Sequence, residues 1–166
     1  MFKRKLMLLA GLALAVVALS PASASANAGG TDRPVSGTIS ATVTLNVLTG
    51  AVTVEGGGVA SHIGKFTTSL EGTVMITSTG TFGSGTFTTV AANGDELTGT
   101  YTLATPGAPG VAHTTTIVMT LTGGTGRFSD ASGTQTSVTE VSPISFSGGV
   151  LVNSAVGTIT TGQISY

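Results

Sequence analysis

From Gly37 onward the chain alternates apolar and hydroxyl-bearing residues with a period of two, and that period leaves few folds open. In GTISATVTLNV, Ile39, Ala41, Val43, Leu45 and Val47 fall on one face, with Ser40, Thr42, Thr44 and Asn46 on the other. Successive side chains of a strand point to opposite sides, so this is a half-buried antiparallel strand. Threonine suits the wet face, because its β-branch already favours extended backbone. AVTVEGGGVAS reads as a second, glycine-loosened strand. FTTSLEGTVMIT reads as a third, with Phe66, Thr68, Leu70, Gly72, Val74 and Ile76 in phase.

The clearest hairpin is FTTVAANGDELTGTYTL. Asn-Gly ordinarily proposes a two-residue type I′ turn. That register pairs Val90 with Leu97 and turns Phe87 away from the side of Tyr101 and Leu103. A three-residue loop, Ala92-Asn93-Gly94 with Gly94 left-handed, puts Phe87, Thr89 and Ala91 on the face of Leu97, Tyr101 and Leu103. A one-residue slip inverts every side chain, so the hydrophobic pattern selects the three-residue loop.

TPGAPG at 105–110 is a rigid exposed turn. VAHTTTIVMTLT is the sixth strand, with Ile117, Met119 and Leu121 in phase, and GGTGRFSDASGT follows it. TQTSVTEV is the seventh strand, SPISFSGG a bend, and VLVNSAVGTITTGQISY one longer or two shorter closing strands. After the N-terminal segment no stretch carries a helical stripe. Short, evenly spaced strands argue an all-β sandwich or barrel. Sequential hairpins without long crossing connections favour a single antiparallel up-and-down β-barrel of about eight strands.

The N-terminus is a separate matter. Lys3, Arg4 and Lys5 precede the apolar run LMLLAGLALAVVAL and then SPASASANA, the pattern of a cleaved secretory signal peptide. The run is shorter than the ~20 residues a spanning helix needs. The expected organisation is residues 1–28 as signal peptide, 29–36 as flexible leader and 37–166 as barrel, in a secreted or periplasmic protein with no permanent membrane span. Removing residues 1–28 leaves Arg33, Lys65 and Arg127 against seven acids, a net charge of 3 − 7 = −4. Nucleic acid is excluded as a partner, since backbone tracking needs clustered Lys and Arg. The chain has no cysteine, so stability rests on burial and backbone pairing.

GGTGRFSDASG resembles the glycine-rich G-x-G-x-F…G segment of the allene oxide cyclase and dirigent protein barrels. VASHIGKFT and GTITTGQISY are similar to recurring pieces of exported bacterial proteins with the same strand pattern. The resemblance covers most of residues 37–166 as a pattern and about a dozen residues as motif. It implies an eight-stranded antiparallel barrel with a lumen, and, in dirigent-type relatives, lumen aspartates and arginines that act on a phenolic intermediate. The strand interiors here carry almost no such residues. The aromatic lining is thin as well, with no Trp and only Tyr101 and Tyr166 as tyrosines.

Up-and-down topology sorts the titratable groups. Connections 2–3, 4–5 and 6–7 share one rim and carry His62 and Lys65, Asp95 and Glu96, and Arg127 and Asp130. The opposite rim carries no Lys, Arg, Asp or Glu. Ligand-binding candidates at the charged rim are therefore His62, Lys65, Asp95, Arg127, Phe128 and Asp130. Phe128 is expected to fold inward as a plug, and Arg127 to pair with Asp130 or to present a cation at a lumen mouth. His113, in phase with Ile117 and Met119, is the lumen candidate. His62 and His113 fall at opposite ends, no metal-ligand spacing appears, and no cofactor is implied. GGTGRF lacks the Lys-Ser/Thr ending of a phosphate loop and follows an antiparallel strand. No nucleophile elbow is present.

These features point to a non-catalytic barrel that binds a small apolar or anionic ligand or associates with the cell envelope, of open oligomeric state. An isomerase- or cyclase-type enzyme working on an apolar substrate in the lumen is the alternative reading. An adhesive or surface-layer module exploiting free strand edges is the third.

Overall fold

The computed structural model describes residues 31–106 and 111–166. The signal-peptide expectation and the GAPG part of the 105–110 turn lie outside these residues. The described elements are β1 (Arg33–Pro34), β2 (Gly37–Asn46), β3 (Ala51–Ala60), β4 (Gly64–Ile76), β5 (Gly80–Ala91), β6 (Glu96–Pro106), β7 (His113–Gly124), a single 3-10 turn (Gly126–Phe128), β8 (Ser132–Ser147) and β9 (Val150–Ser165). Strands β2 to β9 pair antiparallel in sequence order. The sheet closes because β9 also pairs with β2, from Gly37 opposite Ile159 to Asn46 opposite Val150. The result is the expected eight-stranded up-and-down barrel, with β1 as an added piece of strand.

The β5–β6 hairpin has the three-residue loop. Thr89 lies opposite Leu97 and Val90 opposite Glu96. The Gly94 N–H donates to the Ala91 carbonyl at 2.9 Å, as does the Ala91 N–H to the Asp95 carbonyl. Gly94 has φ +87°, the left-handed conformation that a side chain disfavours. Phe87, Ala91, Leu97 and Tyr101 are all buried as a consequence.

Two segments differ from the sequence expectation, and a third decides between the alternatives it left open. SPISFSGG is not a bend: β8 runs through it to Ser147, and a two-residue Gly148-Gly149 turn joins it to β9. The ladder register shifts between Pro143 and Ser145, an irregularity that accommodates a residue with no N–H to donate. The closing segment is one strand of 16 residues. The leader is tied down as well, because β9 outruns β2 and leaves Ile164 and Gln163 open to pairing by Arg33 and Pro34. Val35 is buried, and its N–H donates to the Gly162 carbonyl at 2.9 Å.

The barrel is filled unevenly along its axis. Phe66, Phe87, Tyr101 and Phe128 are all buried, and they lie in the middle or toward the end where β4 begins and β5 finishes. Phe87 sits directly opposite Gly99, while Tyr101 sits opposite Gly85, itself opposite Gly72. A Cβ at Gly99 or Gly72 would crowd the Phe87 ring or the Tyr101 hydroxyl, so glycine makes room for aromatic rings laid along the wall. Toward the other end the inward residues are Val43, Leu45, Val74, Thr81, Thr105, Thr115 and their like. These side chains are too short to meet across the lumen, and a space remains.

Candidate functional site

The topology does gather His62, Lys65, Asp95, Arg127, Phe128 and Asp130 at one rim, and that rim is closed. Phe128 is 0 % exposed because the Gly126–Phe128 turn folds it into the barrel end. Its ring meets Tyr166 edge-on at 5.1 Å between centroids. The Arg33 guanidinium lies 4.8 Å over the Tyr166 ring and Arg127 lies 4.6 Å over Phe128. Two cation–aromatic contacts thus clamp an aromatic pair from its two sides. Ile63, Ala131 and Ile164 pack beneath them as buried members of the same core.

Arg127 does not pair with Asp130, three residues away. Its Nε stands 3.6 Å from an Asp95 carboxylate oxygen, and its Nη2 donates to the Ile63 carbonyl at 2.9 Å. The partner lies on the neighbouring hairpin because the glycine-rich loop folds over that hairpin's tip. Gly126, at φ +56°, is needed there, since a Cβ would collide with the Asp95 carboxylate. Asp95 is also held by the Asn93 amide, which donates at 2.7 Å. His62 is an exposed turn residue at φ +65°, and its carbonyl accepts from the Tyr166 hydroxyl at 3.5 Å. Lys65 and Asp130 are exposed. The Lys65 carbonyl accepts from the Ala92 N–H at 2.9 Å. This rim is a sealed, cross-braced corner, and Arg127 braces it.

The lumen instead opens toward the other rim. A cavity of about 110 Å³ extends from mid-barrel toward the end where His113 stands. One wall is aliphatic and comes from β2, β3 and β4, including Ile39, Val43, Val54, Leu70 and Val74. The other wall bears hydroxyls. Thr81 lies opposite Thr105 in the ladder, Thr105 and Thr115 share a hydroxyl hydrogen bond of 2.7 Å, and Thr115 lies opposite Thr139. These four threonines form a row across β5 to β8, all lining the cavity.

Two oxygens in this lining have no partner. Thr81 Oγ1 and the Asn153 side-chain carbonyl are buried without a hydrogen bond, although burial of such atoms normally demands one. His113 lines the same cavity and is half-buried. Its Nδ1 donates to the Val111 carbonyl at 2.7 Å, and its Nε2 has no hydrogen-bond partner among the described residues. No Lys, Arg, Asp or Glu is among the cavity-lining residues.

His113 is the residue that the sequence placed in the lumen. Thr81, Thr105, Thr115, Thr139 and Asn153 are not singled out by the sequence, because a threonine reads equally well on the wet face of a strand. A signal was present: Thr115 and His113 share the parity of Ile117 and Met119. Tyr101 lies deeper, with its hydroxyl buried and unpartnered, and burial pushes its phenol above the ordinary value. Among the described residues no group of three His, Asp or Glu stands close enough to hold a metal, and no helix is long and apolar enough to cross a membrane. Family models, curated proteins and solved structures yield no match to the chain, so the lumen and its two rims are what bears on function.

Proposed function

We propose that this is an exported, non-catalytic barrel that holds a small, uncharged, largely apolar ligand in its lumen, with the shape of the allene oxide cyclase and dirigent barrels. The observation that carries the reading is the pair of unpartnered buried oxygens, Thr81 Oγ1 and Asn153 Oδ1, in the lining of a cavity whose β2–β4 wall is aliphatic. A bound molecule with a hydroxyl or amide donor would satisfy them, while its apolar flank lies on the β2–β4 wall. The volume is close to that of dry cavities of ~150 Å³ known to take up benzene, so the ligand is an aromatic ring or a short chain. An anionic head group, one of the sequence expectations, lacks a cation to meet it.

The cyclase- or isomerase-type alternative needs a positioned acid and base. His113 is the one titratable side chain lining the cavity among the described residues, which favours binding over turnover. An adhesive role through free strand edges is disfavoured by the closed β8–β9–β2 seam.

Native mass spectrometry of protein purified from its own source tests the proposal, together with calorimetric titration of phenol, benzyl alcohol, hexanol and hexanoate. Neutral donors should bind and hexanoate should not. Binding confined to hexanoate, or no binding and no copurified mass, would overturn the proposal.

A further inference from the structure

The exposed large apolar side chains are not scattered over this barrel. Among the described residues all but Val59, Val118 and Val156 sit at the open rim. Each of the four hairpins or connections there contributes. Leu48 caps the β2–β3 turn, Met75 and Phe82 form a cross-strand pair on β4 and β5, Val111 precedes β7, and Ile144 and Phe146 end β8. With Ile76 beside Met75, their exposure runs from 39 % for Ile76 to 80 % for Leu48. Scattered single residues of this kind need no explanation, but a contiguous ring does.

Charge follows the opposite gradient. The open rim carries no Lys, Arg, Asp or Glu among its described residues. Glu55 and Glu71 are exposed on the outer wall nearer mid-barrel, and Glu140 is exposed opposite Thr114, one step from the start of β7. The remaining charged residues gather at the closed rim. Along its axis the molecule therefore passes from an uncharged apolar collar, through a belt of carboxylates, to a charged cap.

We propose that the collar is a lipid-facing surface, and that the barrel docks end-on onto a zwitterionic bilayer. Insertion would stop where the Glu55, Glu71 and Glu140 carboxylates meet the headgroups. Two features favour lipid over a second copy of the chain. Met75 and Phe82 directly follow the cavity-lining Val74 and Thr81, so strand alternation turns them outward. Phe146, paired with the cavity-lining Leu151, is on the side of the mouth. Tip-to-tip contact with another barrel would leave the outward pair uncovered, whereas immersion covers both sides of the lip. The collar also surrounds an apolar opening, which acyl chains fill and a matching ring of hairpins does not. Docking of this kind draws on apolar burial in the interface. The described residues carry 3 − 7 = −4 in net charge, so anionic lipid should oppose it. The proposal does not depend on the lumen holding a ligand.

The chain contains no tryptophan, which makes single-tryptophan reporters clean. Protein from residue 29 onward, which carries the whole barrel, is prepared as Phe146→Trp at the collar and Val59→Trp at the closed end. Each is mixed with phosphatidylcholine vesicles. The Phe146→Trp emission should shift blue and be quenched by brominated acyl chains, with the Val59→Trp emission unmoved. Introducing Met75→Glu and Phe82→Glu together should weaken vesicle partitioning by about tenfold or more, with the melting curve of the barrel retained. Replacing part of the phosphatidylcholine by phosphatidylglycerol should weaken it further. Equal response of the two reporters, or absence of vesicle binding, overturns the proposal. So does a blue shift at Phe146→Trp that grows with protein concentration without vesicles, which would assign the collar to a second copy. Loss of hexanol or phenol binding with vesicle docking intact bears on the lumen alone.

Discussion

Replacing Asn153 by leucine should make the protein more stable and less able to bind. Asn153 is 4 % exposed, its side-chain carbonyl has no partner, and aliphatic residues such as Val43 and Leu151 line the same cavity. Leaving one such acceptor unsatisfied costs about 1–3 kcal/mol. Leucine has the same branched four-atom side chain but a larger volume, and the adjoining cavity of about 110 Å³ takes up the difference, so it removes that cost and adds apolar burial without overpacking. The expected gain is about 1–3 kcal/mol, a rise in melting temperature of roughly 3–10 °C for a domain of this size. Urea unfolding followed by circular dichroism measures it, and an unchanged m-value confirms that the native and unfolded states are otherwise alike. The same variant titrated with benzyl alcohol or hexanol should lose affinity, because its donor has lost an acceptor. A stabilised variant that still binds as well as wild type would refute the assignment of Asn153 to the ligand. A destabilised one would refute the claim that its carbonyl is unsatisfied. Stability and binding moving in opposite directions is the outcome expected of a site kept polar for function.

Three further outcomes follow from the packing. Phe128→Ala removes a fully buried plug together with its Tyr166 and Arg127 contacts; it should cost about 3–5 kcal/mol in urea unfolding, and a loss under about 1 kcal/mol would show that the closed end is not sealed by this ring. Gly94→Ala has open space for its Cβ but φ +87°, so backbone strain alone should cost about 1 kcal/mol, and a neutral result would exclude the left-handed loop. The Tyr101 phenol is raised by burial, so its contribution is whole below the unfolded-state value of about 10 and is lost as pH climbs toward the folded-state value. Tyr101→Phe should therefore reduce the alkaline loss of stability seen in thermal melts above about pH 10, and an unaltered profile would mean that the phenol ionises freely in the folded state.

Much of the barrel was legible because a period of two reports facing directly. Phe66, Leu70 and Val74 on β4 could be assigned inward from parity alone, and the hairpin register at Ala91 and Asp95 followed from requiring Phe87 and Tyr101 to share a side. The clustering of Arg127, Asp95 and His62 at one rim followed from counting hairpins. Parity does not report height, however, and which end is hollow depends on summed side-chain volume at each level of eight strands. Phe128 and Tyr166 together close one end. Val43, Thr81 and Thr115 fail to close the other. Local composition also misled where pairing overrides it. Pro143 and the serines around it look like a break, yet β9 offers a full-length partner and only a bulge is needed. Arg127 found its carboxylate 32 residues away, on a loop tip that only the folded chain brings near.

The seam has a consequence for assembly. β9 pairs with β8 on one edge and with β2 and β1 on the other, joining Gly37 to Ile159 across 122 intervening steps of chain (159 − 37). Contacts so distant in sequence are slow to form, since the entropy of closing the loop is lost before the ladder compensates it. Until β9 arrives, β2 and β8 present two long unpaired ladders, the kind of template on which other chains add. The protein's period of greatest exposure to aggregation is thus set by a single strand, and a partner that covered either ladder during that interval would act as a chaperone for the whole barrel.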